Sequence, residues 1–140
     1  MEITANAIQE VAPNQPVLFT ETAVPGNFSM IHREGSGQVG LRGLPNGQYR
    51  ARFLLTYSSN IAIPTSQTAS PISLAIAING EPVLTSQMIS TPGAVDEYNN
   101  VNASLYVDVP IGCCNQVSIE NTGTIPVNVQ NANFIIERVA

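Results

Sequence analysis

Side chains able to do chemistry are few in this chain, and they do not converge. Its single histidine, His32, lies in Met30-Ile31-His32-Arg33-Glu34. A hydrolase needs a nucleophile, a base and a group that orients the base, so His32 would have to be that base. At a strand end it reads instead as structural. Asp96 and Glu97 are adjacent, and paired carboxylates are what glycosidase chemistry uses. With Asn99 and Asn100 they also offer oxygens to calcium, but the spacing of a calcium loop is missing. Between Gly93 and Asn99-Asn100 the two acids read as solvated loop residues. Cys113 and Cys114 are neighbours whose Cα atoms stand about 3.8 Å apart across a trans bond, below the usual disulfide range. Two reduced thiols at a strand entrance is the expectation, with an interchain bridge or a vicinal redox switch as alternatives. One histidine and no second cysteine pair leave no zinc site. Gly35-Ser36-Gly37 and Gly40 do not open a helix, so no phosphate cradle is expected. The sequence therefore predicts no catalytic residue, no metal and no cofactor.

The elements that carry these residues are strands. Tyr49, Ala51, Phe53, Leu55 and Tyr57 fall on one face of a period-two pattern, with Gln48, Arg50, Arg52, Leu54 and Thr56 on the other. Ile72, Leu74, Ile76 and Ile78 alternate in the same way, as do Leu105, Val107 and Val109, then Val117 and Ile119, then Val127 and Val129. Further strand candidates are 2–9, 17–20, 28–33, 38–42, 83–89 and 133–139. Only 94–103 leaves room for a turn of helix. Pro45-Asn46-Gly47, Asn79-Gly80, Pro92-Gly93 and Thr122-Gly123 supply turns between strand candidates. About ten short strands at this spacing, with no linker or repeat, predict one all-β domain over residues 1–140. The economical arrangement is a two-sheet antiparallel jelly-roll sandwich.

Composition removes several functions. The net charge is −5, there is no lysine, and the arginines at 33, 42, 50, 52 and 138 form no run. A nucleic-acid footprint needs a basic face against phosphate, so no nucleic-acid partner is expected. No apolar run approaches the ~18–20 residues of a membrane-spanning helix, so no membrane partner is expected either. Met1-Glu2-Ile3-Thr4-Ala5-Asn6 has neither the basic nor the apolar region of a secretion signal. The expectation is synthesis and retention in the cytosol. Asn, Gln, Ser and Thr, rather than charges, carry solubility. Such a surface can hydrogen-bond sugars, although it lacks tryptophan platforms.

Three segments carry a resemblance. Leu44-Pro45-Asn46-Gly47-Gln48-Tyr49-Arg50-Ala51-Arg52-Phe53 resembles the central strand of trimeric jelly rolls in the tumour-necrosis-factor and complement-head superfamily. Leu74-Ala75-Ile76-Ala77-Ile78-Asn79-Gly80-Glu81-Pro82-Val83 is similar to that superfamily's strand running into an Asn-Gly turn. Phe134-Ile135-Ile136-Glu137-Arg138-Val139-Ala140 resembles its C-terminal strand, especially in bacterial spore-surface tip domains. Pro16-Val17-Leu18-Phe19 stands where such domains have an early strand. The resemblance implies a homotrimer with the last strand in the sheet around the threefold axis. That layout puts Arg50, Arg52, Leu54, Tyr106 and Asp108 on one outward face with Ile135, Glu137 and Val139, as a trimer interface. Arg52 is expected to pair with Glu137 or Asp108 near the subunit contact, since its fork suits a carboxylate. The residues themselves add one argument. Phe134 and Ile136 occupy one face of the last strand and Ile135 and Val139 the other, and a strand apolar on both faces is expected to be covered on both, one face by the core and the other by a neighbouring subunit.

The whole sequence also resembles small proteins of Firmicutes and their phages, through Thr4-Ala5-Asn6-Ala7 and Val129-Gln130-Asn131-Ala132-Asn133. This resemblance implies a structural virion protein: a capsid decoration or head-fibre component, resident in the virion and attached to the major capsid or another virion protein. Residues 1–16 are then either the first sandwich strand or a docking arm bearing Ile3, Ala5, Ala7, Ile8 and Val11. The alternative is a trimeric tip that recognises a host-surface glycan or receptor through loops 58–71 and 90–103. No stalk-like Gly-x-y or heptad repeat accompanies it.

Overall fold

A computed structural model of the chain describes residues 1–43, 50–112 and 114–140. The turn expected at Pro45-Asn46-Gly47, the positions of Gln48 and Tyr49, and Cys113 of the cysteine pair lie outside the described residues. The rest folds as a sandwich of two antiparallel sheets, each of six strands. In chain order the strands are β1 (Glu2–Ala5), β2 (Gln9–Val11), β3 (Glu21–Val24), β4 (Met30–His32), β5 (Val39–Arg42), β6 (Arg50–Ala62) and β7 (Ile72–Ile78). They continue with β8 (Glu81–Pro82), β9 (Met88–Ser90), β10 (Asn99–Pro110), β11 (Cys114–Asn121) and β12 (Val127–Arg138). The first sheet runs β10-β6-β12-β1-β3, with β2 also on β12. The second runs β4-β5-β11-β7-β8, with β9 also on β7.

Alternation decides which side chains meet between the sheets. Ala51, Phe53, Leu55 and Tyr57 of β6 are fully buried, as are Phe134 and Ile136 of β12 and Ile72, Leu74 and Ile76 of β7. Phe19, Tyr57 and Phe134 form the aromatic centre, with Tyr57 edge-on to both phenylalanines at ring-centroid distances of 6.3 and 6.1 Å. Burial pushes the Tyr57 hydroxyl well above its usual pKa, so it stays neutral. The sheets are joined across the sandwich by Asn121, which is fully buried. Its Nδ2 donates to the carbonyls of Val11 and Ile125, both at 2.9 Å, while its Oδ1 accepts from Gly123 N at 2.8 Å. A second junction is Gly43, beside β10. A Cβ there would stand 2.0 Å from the Pro110 carbonyl oxygen, so only glycine allows the approach.

Several elements differ from the sequence expectation, each for a local reason. Segment 17–20 is not a strand. Its backbone divides its bonds: Val17 N donates to Ile119 O, Phe19 N to Ser36 O and Thr20 N to Thr4 O. Val17 and Phe19 are nevertheless core residues. The neighbouring strand is Glu21–Val24, which has almost no buried side chain to announce it. Within 83–89 the chain makes a 3-10 turn at Leu84–Ser86. Buried Ser86 holds it, with its hydroxyl donating to Val83 O and accepting from Ile76 N. The expected strands 127–130 and 133–139 are one strand, interrupted by a bulge where Asn131 takes φ 54°. Segment 94–103 contains no helix. Asp96 turns at φ 60° and strand β10 begins at Asn99.

Candidate functional site

The register of the first sheet brings the candidate interface residues together. Asp108 lies opposite Arg52, and Tyr106 opposite Leu54, which in turn faces Glu137 on β12. Ile135 pairs with Thr56 on the same outward face, one step along β12. Val139 N donates to Arg52 O at 2.8 Å, so the C-terminal residues run beside the arginine strand. Pro110 pairs with Arg50, completing the corner. All eight residues of the expected interface, Arg50, Arg52, Leu54, Tyr106, Asp108, Ile135, Glu137 and Val139, therefore share one surface.

Its electrostatics centre on Asp108. Arg52 grips this carboxylate with two parallel bonds, Nε to Oδ1 at 2.8 Å and Nη2 to Oδ2 at 3.1 Å. Arg50 Nε lies 3.2 Å from Oδ2. The hydrogen bonds from Arg52, with the charge of Arg50 added, hold the Asp108 carboxyl below the usual carboxylate range, and Asp108 in turn raises Arg52. Of the two partners expected for Arg52, the structure selects Asp108. Glu137 faces Leu54 instead.

Within a single chain the final strand is buried on one face only: Phe134 and Ile136 lie in the core, whereas Ile135 is 38% and Val139 45% exposed, and Tyr106 across the sheet is 64% exposed. The sandwich has two layers, and among the described residues the outer side of this strand is left open. Sequence reasoning also missed the far end of this face. Glu2 of β1 pairs with Ile135 and with Val24 of β3, so β1 and the edge strand β3 extend the surface. There the Asn133 Nδ2 donates to Glu2 Oε2 at 2.7 Å. A cleft of about 440 Å³ opens beside it, between Met1, Val24, Met30 and Ile135. The partnership of β1 with β12 leaves no mark in either strand's own sequence.

The docking-arm candidates separate. Ile3, Ala5 and Val11 are buried in the core as parts of β1 and β2, so an arm made of them is ruled out by their packing. Ala7 and Ile8 lie between the two strands on the surface, Ile8 being 54% exposed. The N-terminal ammonium is tied down as well, donating to Ile136 O at 2.8 Å.

The residues considered for chemistry remain apart. His32 Nε2 lies 3.1 Å from Ser36 O and Nδ1 3.5 Å from Thr22 Oγ1, and the ring stands edge-on to Phe19, which is a structural environment. Asp96 and Glu97 are exposed. Among the described residues no group of His, Cys, Asp and Glu could hold a metal ion. Loops 58–71 and 90–103 are shorter than expected, since β6 continues to Ala62 and β10 starts at Asn99.

The globular domain of zebrafish complement 1qA overlays this sandwich with a TM-score of 0.67, covering 99% of this chain and 95% of that one at 13% identity. The Eiger TNF structure from S. frugiperda overlays with 0.66, covering 100% and 92% at 11% identity. The fold is the complement-head and tumour-necrosis-factor jelly roll. At such identities the likeness is one of fold. No protein-family model and no curated protein sequence matches the chain.

Proposed function

We propose that the chain is a subunit of a homotrimer, assembled through the outward face of the first sheet, and that it serves to build and bind rather than to catalyse. The observation that carries this reading is the combination on that face of exposed apolar side chains with a carboxylate already paired in place. Tyr106, Ile135 and Val139 are exposed and Leu54 is half-buried among them, an apolar surface of the kind that marks an interaction site. Asp108, held between Arg50 and Arg52, can be covered without leaving a lone carboxylate, which is the costly case on burial. Neighbouring copies would supply the cover that the open side of β12 lacks. The threefold arrangement follows from the resemblance to the tumour-necrosis-factor and complement-head superfamily, whose fold this is.

The trimer's place, in this reading, is on a larger particle, as a capsid decoration or head-fibre component of a phage virion docked against capsid protein. The resemblance of Thr4–Ala7 and Val129–Asn133 to phage and Firmicutes proteins supports this assignment. Because Ile3, Ala5 and Val11 are committed to the core, a docking contact near the N-terminus would fall to Ala7 and Ile8. Native mass spectrometry of the chain and of Leu54→Arg tests the assembly. A trimer that becomes a monomer on substitution supports the reading, and a wild-type monomer refutes it. Mass spectrometry of purified virions tests the location, and absence of the chain from every particle of its host's phages would refute that part.

A further inference from the structure

Of the five arginines, Arg50 and Arg52 face Asp108, and Arg138 Nε donates to the Ala140 carbonyl. Arg33 and Arg42 are left, and both line one groove of about 310 Å³ on the outward face of the second sheet. The register explains how residues nine apart line the same groove. Ile31 lies opposite Gly40 and Gln116 opposite Gly40 from the other side, while Cys114 lies opposite Arg42. Gly40 is therefore the floor, Ile31 one wall and Gln116 the other, with Arg42 at one end. Arg33 and Gln38 stand at the other end. Gln38 to Arg42 spans about 13 Å of extended strand. Among the described residues no acidic side chain lines the groove and neither arginine makes an ion pair. Residues 44–49 and 113 contain no acid either. In a chain of net charge −5, two arginines converge on a groove where no strand partner neutralises them.

Arginine's planar fork matches a carboxylate or sulfate, and side-chain amides donate to and accept from hydroxyls. Ile31, 46% exposed, offers an apolar wall for the carbon face of a ring. We propose that this groove binds an acidic oligosaccharide, with Arg33 and Arg42 holding its anionic groups, Gln38 and Gln116 its hydroxyls, and Ile31 a ring face. Two cationic ends joined by a flat, uncharged, hydroxyl-matching floor suit a sugar chain carrying spaced acids better than a run of phosphates, which would call for more positive charge. The site lies on the sheet opposite the assembly face. It stands independently of the trimer reading.

Gly40 provides the decisive variant. A Cβ there meets only the Cβ and carbonyl oxygen of Ile31, at 3.8 Å, an ordinary contact. Valine also suits a strand, so Gly40→Val fills the floor without breaking the fold. The experiment is calorimetric titration of the whole chain with tri-galacturonate, its neutral methyl ester, a heparin-derived tetrasaccharide and hexaglutamate. Binding of tri-galacturonate, the heparin fragment or both is expected, weakening as salt rises, and the preferred one distinguishes a uronate glycan from a sulfated one. Arg33→Gln and Arg42→Gln should each weaken that binding about tenfold, and Gly40→Val should abolish it. Melting temperature and native mass of each variant establish that it is folded. The proposal is overturned if the methyl ester binds equally well, if hexaglutamate is preferred, if folded Gly40→Val binds like the wild type, or if neither acidic sugar binds. A monomeric native mass with sugar binding intact would count against the trimer alone.

Discussion

Two pairs of arginines lie on the outward faces of the two sheets in this molecule, and their surroundings are opposite. Arg50 and Arg52 are two residues apart on β6 and share Asp108, which register places directly opposite Arg52. Arg33 and Arg42 come from separate parts of the chain, and the residue opposite Arg42 is Cys114. In a protein with so few charges, neutralisation within the first sheet and its lack in the second separate a face suited to being covered by protein from one suited to meeting an outside anion. In the proposed reading the same side chain would serve assembly in one place and recognition in the other, because of what the neighbouring strand presents.

The largest expected effect comes from breaking the framework that both faces share. Asn121→Leu orphans the carbonyls of Val11 and Ile125 and the amide of Gly123. Each unsatisfied buried group costs about 1–3 kcal/mol, so a loss of roughly 3–5 kcal/mol and a fall in Tm of about 10 °C are expected by calorimetry. Trimer and groove binding should decline together. Loss of one with the other untouched would show that the faces are not coupled through the sandwich.

Asp108→Asn is the sharper test of the comparison, because it converts the first pair of arginines into a second unneutralised pair. The expected result is dissociation of the trimer to monomers in native mass spectra, with the melting of the monomer fold little altered and groove binding retained. A trimer unchanged by this substitution would break the contrast between the faces.

Acid should act at the same point. The Asp108 carboxyl titrates below its ordinary value of about 3.9, so its paired form favours the native state above that pH. That contribution is lost as pH falls through the lowered pKa. Because the pair forms within one chain, the readout is the Tm: the small difference between the wild type and Asp108→Asn should hold at neutral pH, shrink as pH falls below the ordinary carboxylate value and vanish below the lowered one. A difference unchanged across that range would assign it to other groups.

The smallest effect belongs to Arg50→Gln. The Arg50 side chain is 61% exposed and makes a single contact to Asp108, whereas Arg52 makes two. The Tm should move by no more than about a degree and the trimer should persist. Arg52→Ala, by contrast, should weaken it.

Much of the sandwich is legible in the residues because period-two alternation directly encodes one buried face. Residues 51–57 and 105–109 lie where alternation puts them, whereas in 72–78 the small residues Ser73, Ala75 and Ala77 of the second face are buried as well. The pairing of Arg52 with an acid is legible too, since both sit on outward positions of long strands. What alternation does not encode is strand order and register. β3 carries no apolar pattern, segment 17–20 divides its bonds among three parts of the chain, and the bulge at Asn131 hides the unity of β12. The groove escapes for the same reason. Arg33 and Arg42 look scattered along the chain, and the only hint is their parity: Ile31 on one strand with Arg33 just past its end, and Gly40 and Arg42 on the next. The covered or open state of Ile135 and Val139 lies beyond the single chain altogether.

Whether the first sheet's outward face is an assembly surface is tested most directly by native mass spectrometry of the purified chain at neutral pH. A dominant species at three times the 14.9 kDa of the single chain is expected. A dominant monomer across the micromolar range would contradict it.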